Sequence, residues 1–338
     1  MLDPRYYLIS VSNKENLDLC IKYNLAGFPS SRNGLWTFLD IDVGDYVSFL
    51  YGARVKNLYK VIRKIAYKNA ESLPPWKPIT FRESGNTYTF PYRLELKLER
   101  EFDESMVRPE FAYVAEDLLL RGGYRKTHFQ ADATTLSYVS TLGRSTQELI
   151  KSKIPDTLKF ADLEFVPKIL FSNADSDYED SNYTVTKFNE NILQSLLKRK
   201  LNSILKDVLR YFGSDKNPDE FEILSEKALS RGFIDLFIKL KHPVGKNQYI
   251  LVEVKDRKAS SKDFEQITEY IKDFDKEGEL LGGIVIASGF PSKGKLDALN
   301  ILRVKFFFRN LDESKEYYYQ DLLDKLELTI VENDATLF

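Results

Sequence analysis

The sequence predicts a two-domain α/β protein, with short strands and few helices over residues 1–145 and a central sheet flanked by helices over residues 186–338. Three observations lead there. A chain of 338 residues exceeds what one hydrophobic core usually fills. The front portion alternates in short period-two runs. The back portion reads helix, strand, strand, helix, strand, an order that implies a sheet with helices against it.

In the front portion, "YYLISVS" reads as a strand and "NKENLDLCIKYN" as a helix with Leu17, Cys20 and Ile21 on one side. "GDYVSFLYG" and "LYKVIRKIAY" read as two strands following a Gly-Asp turn. "TYTFPYRLELKLEREF" alternates as a strand whose start is marked by Pro91. Residues 146–185 are polar and mixed, and "NADSDYEDSNYTV" within them is rich in Asp, Asn and Ser, so this span is assigned to a linker. Beyond it, "FNENILQSLLKRKLNSILKDVLRYF" reads as one or two amphipathic helices, and "GFIDLFIKL" and "QYILVEVK" as strands joined at "KHPVGKN". A helix over 264–274, the apolar strand "GGIVIAS", the strand "KFFFRN" and a C-terminal helix complete the domain.

Composition narrows the chemistry. Phe and Tyr number 43 and His only 2, which disfavours His-based catalysis while leaving aromatic pockets easy to build. Cys20 is the sole cysteine, so neither an internal disulfide nor a zinc knuckle can form, and its place on a helix suggests packing. The net charge of −2 does not itself point to nucleic acid, but "RVKNLYKVIRKIAYK" is locally basic. The sequence shows neither a cleavable leader nor an apolar run of membrane-spanning length, so a cytoplasmic protein is expected.

"YILVEVKDRKASSKDFEQITEY" carries the chemistry. A strand repeats every two residues, so Glu253 and Lys255 share one face and Val252 and Val254 the other. Asp235 in "GFIDLF" faces away from Ile234 and Leu236, and its neighbouring strand should be the one holding Glu253. Two carboxylates on adjacent strands repel unless a cation neutralises them, and a divalent ion can also activate water. Lys255 could orient that water or offset charge on a transferring phosphoryl group. The Val254 carbonyl could add a metal ligand. Ser260 or Ser261 is expected to cap the following helix with support from Asp263.

This ordered set resembles the catalytic core of the PD-(D/E)xK nuclease superfamily, in which an acidic strand residue is followed by Glu-x-Lys on the next strand. The resemblance implies a restriction-endonuclease-like mixed sheet and Mg2+-dependent phosphodiester hydrolysis, with Mn2+ as a possible substitute. Asp235, Glu253 and the Val254 carbonyl become the implied metal ligands and Lys255 the implied catalytic ammonium. Many members carry a Gln and a Tyr on the next helix, matched by Gln266 and Tyr270. Glu190 is the best match to their extra upstream carboxylate, with Glu226 a competing choice. The Pro of the named motif is absent.

The front domain resembles the EVE and YTH-like members of the PUA-like fold in "RYYLISVSNKEN", "SSRNGLWTF", "GDYVSFLY" and "FPYRLEL". Such domains form a small β-barrel that holds modified bases in an aromatic pocket. That resemblance implies Trp36 and Trp76 as pocket walls and Ser10, Ser12 and Asn33 as polar contacts. Arg32, Arg54, Lys56 and Arg93 are the candidate phosphate contacts. Together the two resemblances imply a modification-dependent DNA endonuclease, read as a defence against invading DNA, acting on double-stranded DNA with a methylated base. Homodimerisation is expected for cutting both strands. A repair or structure-selective nuclease is the alternative, and a non-enzymatic reader with a dimerising C-terminal sheet a third.

Overall fold

The computed structural model describes residues 3–52, 54–80, 85–102, 127–145, 154–171, 184–229, 232–274, 279–291 and 300–331. The chain divides into two compact units, Met1–Lys187 and Phe188–Phe338. Among the described residues no helix is long and apolar enough to cross a membrane.

The first unit contains β1 (Tyr6–Ser10), α1 (Lys14–Tyr23), β2 (Leu25–Phe28), α2 (Arg32–Asp40), β3 (Tyr46–Tyr51) and β4 (Arg54–Tyr67). A short ribbon, β5 (Ile79–Thr80) with β6 (Thr87–Tyr88), precedes β7 (Tyr92–Glu101), β8 (His128–Ala131) and α3 (Ala133–Val139). Short strands β9 (Arg144–Ser145), β10 (Glu164–Phe165), β11 (Lys168–Leu170) and β12 (Val185–Lys187) follow. The main sheet runs β2-β7-β4-β3-β1-β8, with β9 on β7 and β10 on β4. It is a partly curled sheet, and its two end strands are not paired with each other among the described residues, where the PUA-like resemblance implies a barrel.

Local chemistry accounts for these elements. The Asn13 side chain accepts from Asn16 N–H to start α1, and Asn24 ends it in the left-handed region at φ 50°. The β3–β4 turn places Gly52 at φ 58°, where a side chain would be strained. Ser31 caps α2 by accepting from Gly34 N–H. Gly34 is required by close approach, because a Cβ there would lie 2.0 Å from the Pro29 carbonyl oxygen.

Part of the predicted linker is packed. Leu163 and Phe160 cover a cluster of Ile65, Tyr67 and Leu73, while Glu164 and Phe165 pair with Tyr67 and Ala66. Apolar side chains at 160, 163 and 165 give this span something to bury, unlike the polar stretch at 172–183, which lies outside the described residues.

The second unit contains α4 (Glu190–Lys200), α5 (Leu205–Tyr211), β13 (Phe221–Leu229), β14 (Gly232–Leu240), β15 (Gln248–Val254), α6 (Ser261–Phe274) and β16 (Glu279–Ala287). It ends with β17 (Ile301–Phe308), β18 (Glu316–Tyr318), α7 (Tyr319–Lys325) and β19 (Leu326–Val331). Its sheet is mixed and runs β13-β14-β15-β16-β17-β19. Strands β13, β14 and β15 are antiparallel neighbours, β15, β16 and β17 are parallel, and β19 returns antiparallel to β17.

Both faces of the central strands are covered. Leu236, Ile238 and Leu240 alternate along β14 and are buried, as are Ile250, Val252 and Val254 on β15. On the other face, Phe237 and Leu251 meet Tyr270 and Phe274 of α6. Helix α4 packs against β13, β14 and β15, and α6 against β15 and β16. Two elements go beyond the expected order: β13 forms the first hairpin strand, and the chain returns to the sheet as β19 after the short helix α7.

Candidate active site

The β14–β15 ladder pairs Leu236 with Val252 and Phe237 with Leu251, so Asp235 and Glu253 stand opposite one another one step further on. Asp235 accepts two hydrogen bonds: Oδ2 from the backbone N–H of Val254 at 2.7 Å, and Oδ1 from Gln194 Nε2 at 2.8 Å. Glu253 is 1% exposed, and its Oε1 meets Lys255 Nζ at 2.9 Å. The other carboxylate oxygen of Glu253 is buried without a partner.

Lys255 is the first residue past β15, yet its backbone N–H still bonds to the Ile286 carbonyl, which keeps it in register with the sheet. Its ammonium also reaches Glu190 Oε1 at 3.4 Å. Helix α4 delivers both Glu190 and Gln194, spaced i and i+4 on one face. Asn189 caps that helix by accepting from Ile192 N–H. The structure thus gathers Asp235, Glu253, Lys255 and Glu190, all four expected. It adds Gln194, which sequence reasoning missed; the spacing from Glu190 was the available signal. The Glu226 side chain lies outside the described residues.

The charges here are frustrated. Burial and then the neighbouring Glu253 carboxylate push the Asp235 carboxyl well above the usual range, against the pull of Lys255 and the Val254 N–H. Burial likewise raises Glu253, opposed by Lys255. Burial raises Glu190 as well, again opposed by Lys255. Burial works against the Lys255 ammonium, but Glu253, Asp235 and Glu190 together hold its pKa above the ordinary lysine value. One ammonium among three carboxylates leaves negative charge to be neutralised.

The donor set suits a hard divalent cation: two carboxylates on adjacent strands, one of them, Glu253, with a buried oxygen that has no partner. Among the described residues no group of three or more His, Cys, Asp or Glu side chains is gathered closely enough to form a metal site by itself. Residues after Lys255 are braced. Arg257 grips Asp263 through both terminal nitrogens at 2.8 and 2.9 Å. Asp263 also accepts from the Ser260 N–H and hydroxyl, and Ala259 N–H bonds to the Gly289 carbonyl. Asp263 thus supports the Ser260 cap as expected, by accepting from its backbone N–H, while the Ser260 hydroxyl donates to Asp263 rather than accepting from the helix.

Gln266 and Tyr270 differ from the expected phosphate-positioning role. Gln266 Nε2 donates to the Tyr270 hydroxyl at 3.1 Å, and the Tyr270 ring is buried against Phe237 and Phe274. With i, i+4 spacing on an amphipathic helix, the tyrosine falls on the core face.

In the first unit, Trp36 lies on α2, buried and edge-on to His128 at 4.7 Å, with its indole N–H lacking a partner. His128 contacts Thr37 Oγ1 through Nδ1 at 2.9 Å and Asp40 Oδ2 through Nε2 at 3.1 Å. Thr127 gathers the neighbours: its hydroxyl bonds to the Asn33 carbonyl and contacts the Thr37 hydroxyl, and its own carbonyl accepts from Ser10 N–H. Trp36 therefore lies beside a histidine that the sequence reading passed over, and Asn33 and Ser10 meet Thr127 here through backbone atoms. Ser12 is exposed beyond the end of β1.

Trp76 and Arg93 are core residues instead. Arg93 is 2% exposed and donates to the Phe90, Pro74 and Leu73 carbonyls, and its guanidinium stacks between Tyr67 and Trp76. Burial pulls it down to about 10. Trp76 closes over Gly27, where a Cβ would lie 2.6 Å from the indole. Arginine was read as a surface residue, but a ring of loop carbonyls and aromatic faces satisfies it inside. Arg32 and Arg54 are exposed and Lys56 is half-buried, on α2 and β4.

No family model matches this chain, and no curated protein does. Among solved structures, it is similar to a repair endonuclease from Pyrococcus abyssi at 19% identity, covering 32% of this chain and 42% of that one, with a TM-score of 0.21. It is similar to the MspJI restriction endonuclease in complex with a 27-mer oligonucleotide at 11% identity, covering 87% and 64%, with a TM-score of 0.22. Rpa0253 from Rhodopseudomonas palustris gives 13% identity, 43% and 99% coverage and a TM-score of 0.26. The chain thus spans less than two thirds of the length of either endonuclease.

Proposed function

We propose that the second unit hydrolyses DNA phosphodiester bonds with a divalent cation, Mg2+ or in its place Mn2+. The observation that carries this reading is the pairing of half-buried Asp235 with buried Glu253, which has one free carboxylate oxygen and Lys255 2.9 Å from the other. Such a pair is costly without a cation and well suited to one.

A cation bound there would lower the pKa of a water and neutralise phosphate charge. Asp235 and Glu253, with the Val254 carbonyl, would hold it. Lys255, kept protonated by three carboxylates, contributes a fixed positive charge to the developing phosphorane and a donor to orient the nucleophile. Glu190 holds Lys255 from the helix side. The hydrogen bonds from Gln194 and Val254 restrict the Asp235 carboxylate to one orientation, so less ordering remains to be done when substrate binds.

In this proposal the first unit selects among DNA substrates, including recognition of a methylated base. Its resemblance to modified-base readers motivates that assignment, and Trp36, with an unpartnered N–H beside His128, is the side chain to test. One site of this kind cuts one strand, so a double-strand break calls for two copies.

The test compares cleavage of matched methylated, unmodified and mismatched duplexes in Mg2+, Mn2+ or EDTA. Cleavage in either metal, stopped by EDTA, is expected, with the methylated duplex cut fastest. Turnover unchanged by EDTA would remove the metal mechanism. Preference for the mismatched duplex would favour the repair reading.

A further inference from the structure

We propose that Gln194 is a working part of the cation site, its amide nitrogen positioning Asp235 and its amide oxygen supplying a neutral donor to the cation's coordination shell. This rests on the metal-dependent reading above. Gln194 is 4% exposed on α4, one turn after Glu190, and its Nε2 lies 2.8 Å from Asp235 Oδ1. With Nε2 donating to Asp235 Oδ1, the amide oxygen is turned away from that carboxylate. That oxygen, Oε1, is buried with no partner.

Buried acceptors without a donor are rare in native proteins, and each asks for an explanation. Here two occur around one carboxylate: Gln194 Oε1, on the residue bonded to Asp235, and Glu253 Oε2, on the residue across the ladder from it. A single cation or the water it carries would satisfy both. The residue type fits the charge balance as well. Asp235, Glu253 and Glu190 already place three carboxylates around one ammonium. A glutamine adds an oxygen without a fourth charge. A helix-to-strand anchor alone would use the nitrogen and leave the oxygen unexplained.

The test uses the full chain, with Mg2+ and non-activating Ca2+ binding measured by calorimetry and melting measured with and without each ion. Gln194→Met should fold, weaken Mg2+ binding about 10- to 100-fold and shrink the ion-induced rise in Tm. Gln194→Glu should melt below the wild type without metal, because it adds a charge beside Asp235, and should show a larger ion-induced rise. Equal Mg2+ affinity in folded Gln194→Met and the wild type would overturn the proposal. So would a Gln194→Glu protein whose ion-induced rise matches the wild type, a result that decides the matter should the Met variant fail to fold. A wild type that binds neither ion and cuts no DNA would remove the nuclease reading with it. A wild type that binds and cuts, beside an unaffected Met variant, would remove the Gln194 assignment alone.

Discussion

The Asp235 carboxylate accepts a hydrogen bond from the backbone N–H of Val254 at 2.7 Å, so the acid proposed to hold a cation also ties β14 to the end of β15. Charge and architecture can be separated by substitution. Asp235→Asn keeps an oxygen for Val254, and its new NH2 can be met by Gln194 turning its own free oxygen inward. It should melt within a few degrees of the wild type while cleavage falls by at least about 10³-fold. Asp235→Ala leaves the Val254 donor buried and should cost roughly 1–3 kcal/mol in addition. Denaturant melts and single-turnover cleavage of both variants check this. An Asn variant that cuts normally would clear Asp235 of a role in the chemistry.

Lys255 sits between Glu253 at 2.9 Å and Glu190 at 3.4 Å. Lys255→Met should therefore abolish cleavage, a loss of about 10³-fold or more, while Mg2+ binds at least as tightly, since a competing positive charge is gone. Glu190→Gln should give a smaller loss, about 10- to 100-fold, because Glu253 still holds the ammonium. Equal losses in the two variants would mean that Glu190 has a direct part in the reaction.

The acid cluster was legible in part from strand geometry, since period-two alternation places Glu253 and Lys255 on one face, and in part from the nuclease resemblance, which joined Asp235 and Glu190 to them. Gln194 was not, since its role exists only once α4 crosses β14, a tertiary fact. Strand β13 hid behind charged residues such as Glu222, and β19 behind the short helix before it, although Leu326, Leu328 and Ile330 alternate as a strand should. Helix α2 was masked by Gly34, whose value lies in a close approach to Pro29 that no local pattern reveals. Arg93 and Trp76 were misjudged for one reason: residue type suggested surface and rim, whereas their packing partners come from distant segments.

Arg93 gives a direct check of that correction. Arg93→Lys loses the planar stack between Tyr67 and Trp76 and part of its bonding to the loop carbonyls. It should destabilise the protein by about 1–3 kcal/mol and leave DNA affinity unchanged below the melting transition. A drop in affinity at unchanged stability would restore Arg93 as a phosphate contact.

Asp263 sets an acid limit on the brace behind the site. Burial alone would raise its pKa, but hydrogen bonds from Arg257 and Ser260 pull it from the ordinary 3.8 down to about 2. A depressed carboxylate stabilises the fold above its unfolded value, and that contribution is lost as pH falls through the folded value. Between about pH 4 and pH 2, melting temperature should therefore fall more steeply in the wild type than in Asp263→Asn, with the two curves converging at the acid end. Parallel curves across that window would show that the Arg257–Asp263 pair contributes nothing to stability.

The first unit should end near residue 187 rather than 145. Glu164 and Phe165 extend the sheet along β4, Phe160 packs edge-on to Tyr67 at 5.5 Å, and Lys68 N–H bonds to the Leu163 carbonyl. A fragment of residues 1–145 exposes Ile65, Tyr67 and Leu73, so it should bind a hydrophobic dye and melt well below a fragment of residues 1–187. The longer fragment should melt cooperatively and keep whatever preference for modified DNA the full chain has, since selection is assigned to it. Residues 188–338 should retain metal-dependent cleavage only at raised enzyme concentration, having lost the tether that concentrates substrate. Equal melting of the two front fragments would show that residues 154–171 are dispensable to the unit. If residues 188–338 alone kept the full chain's preference for modified duplex, selection would belong to the catalytic unit, and Trp36 would stand as core packing only.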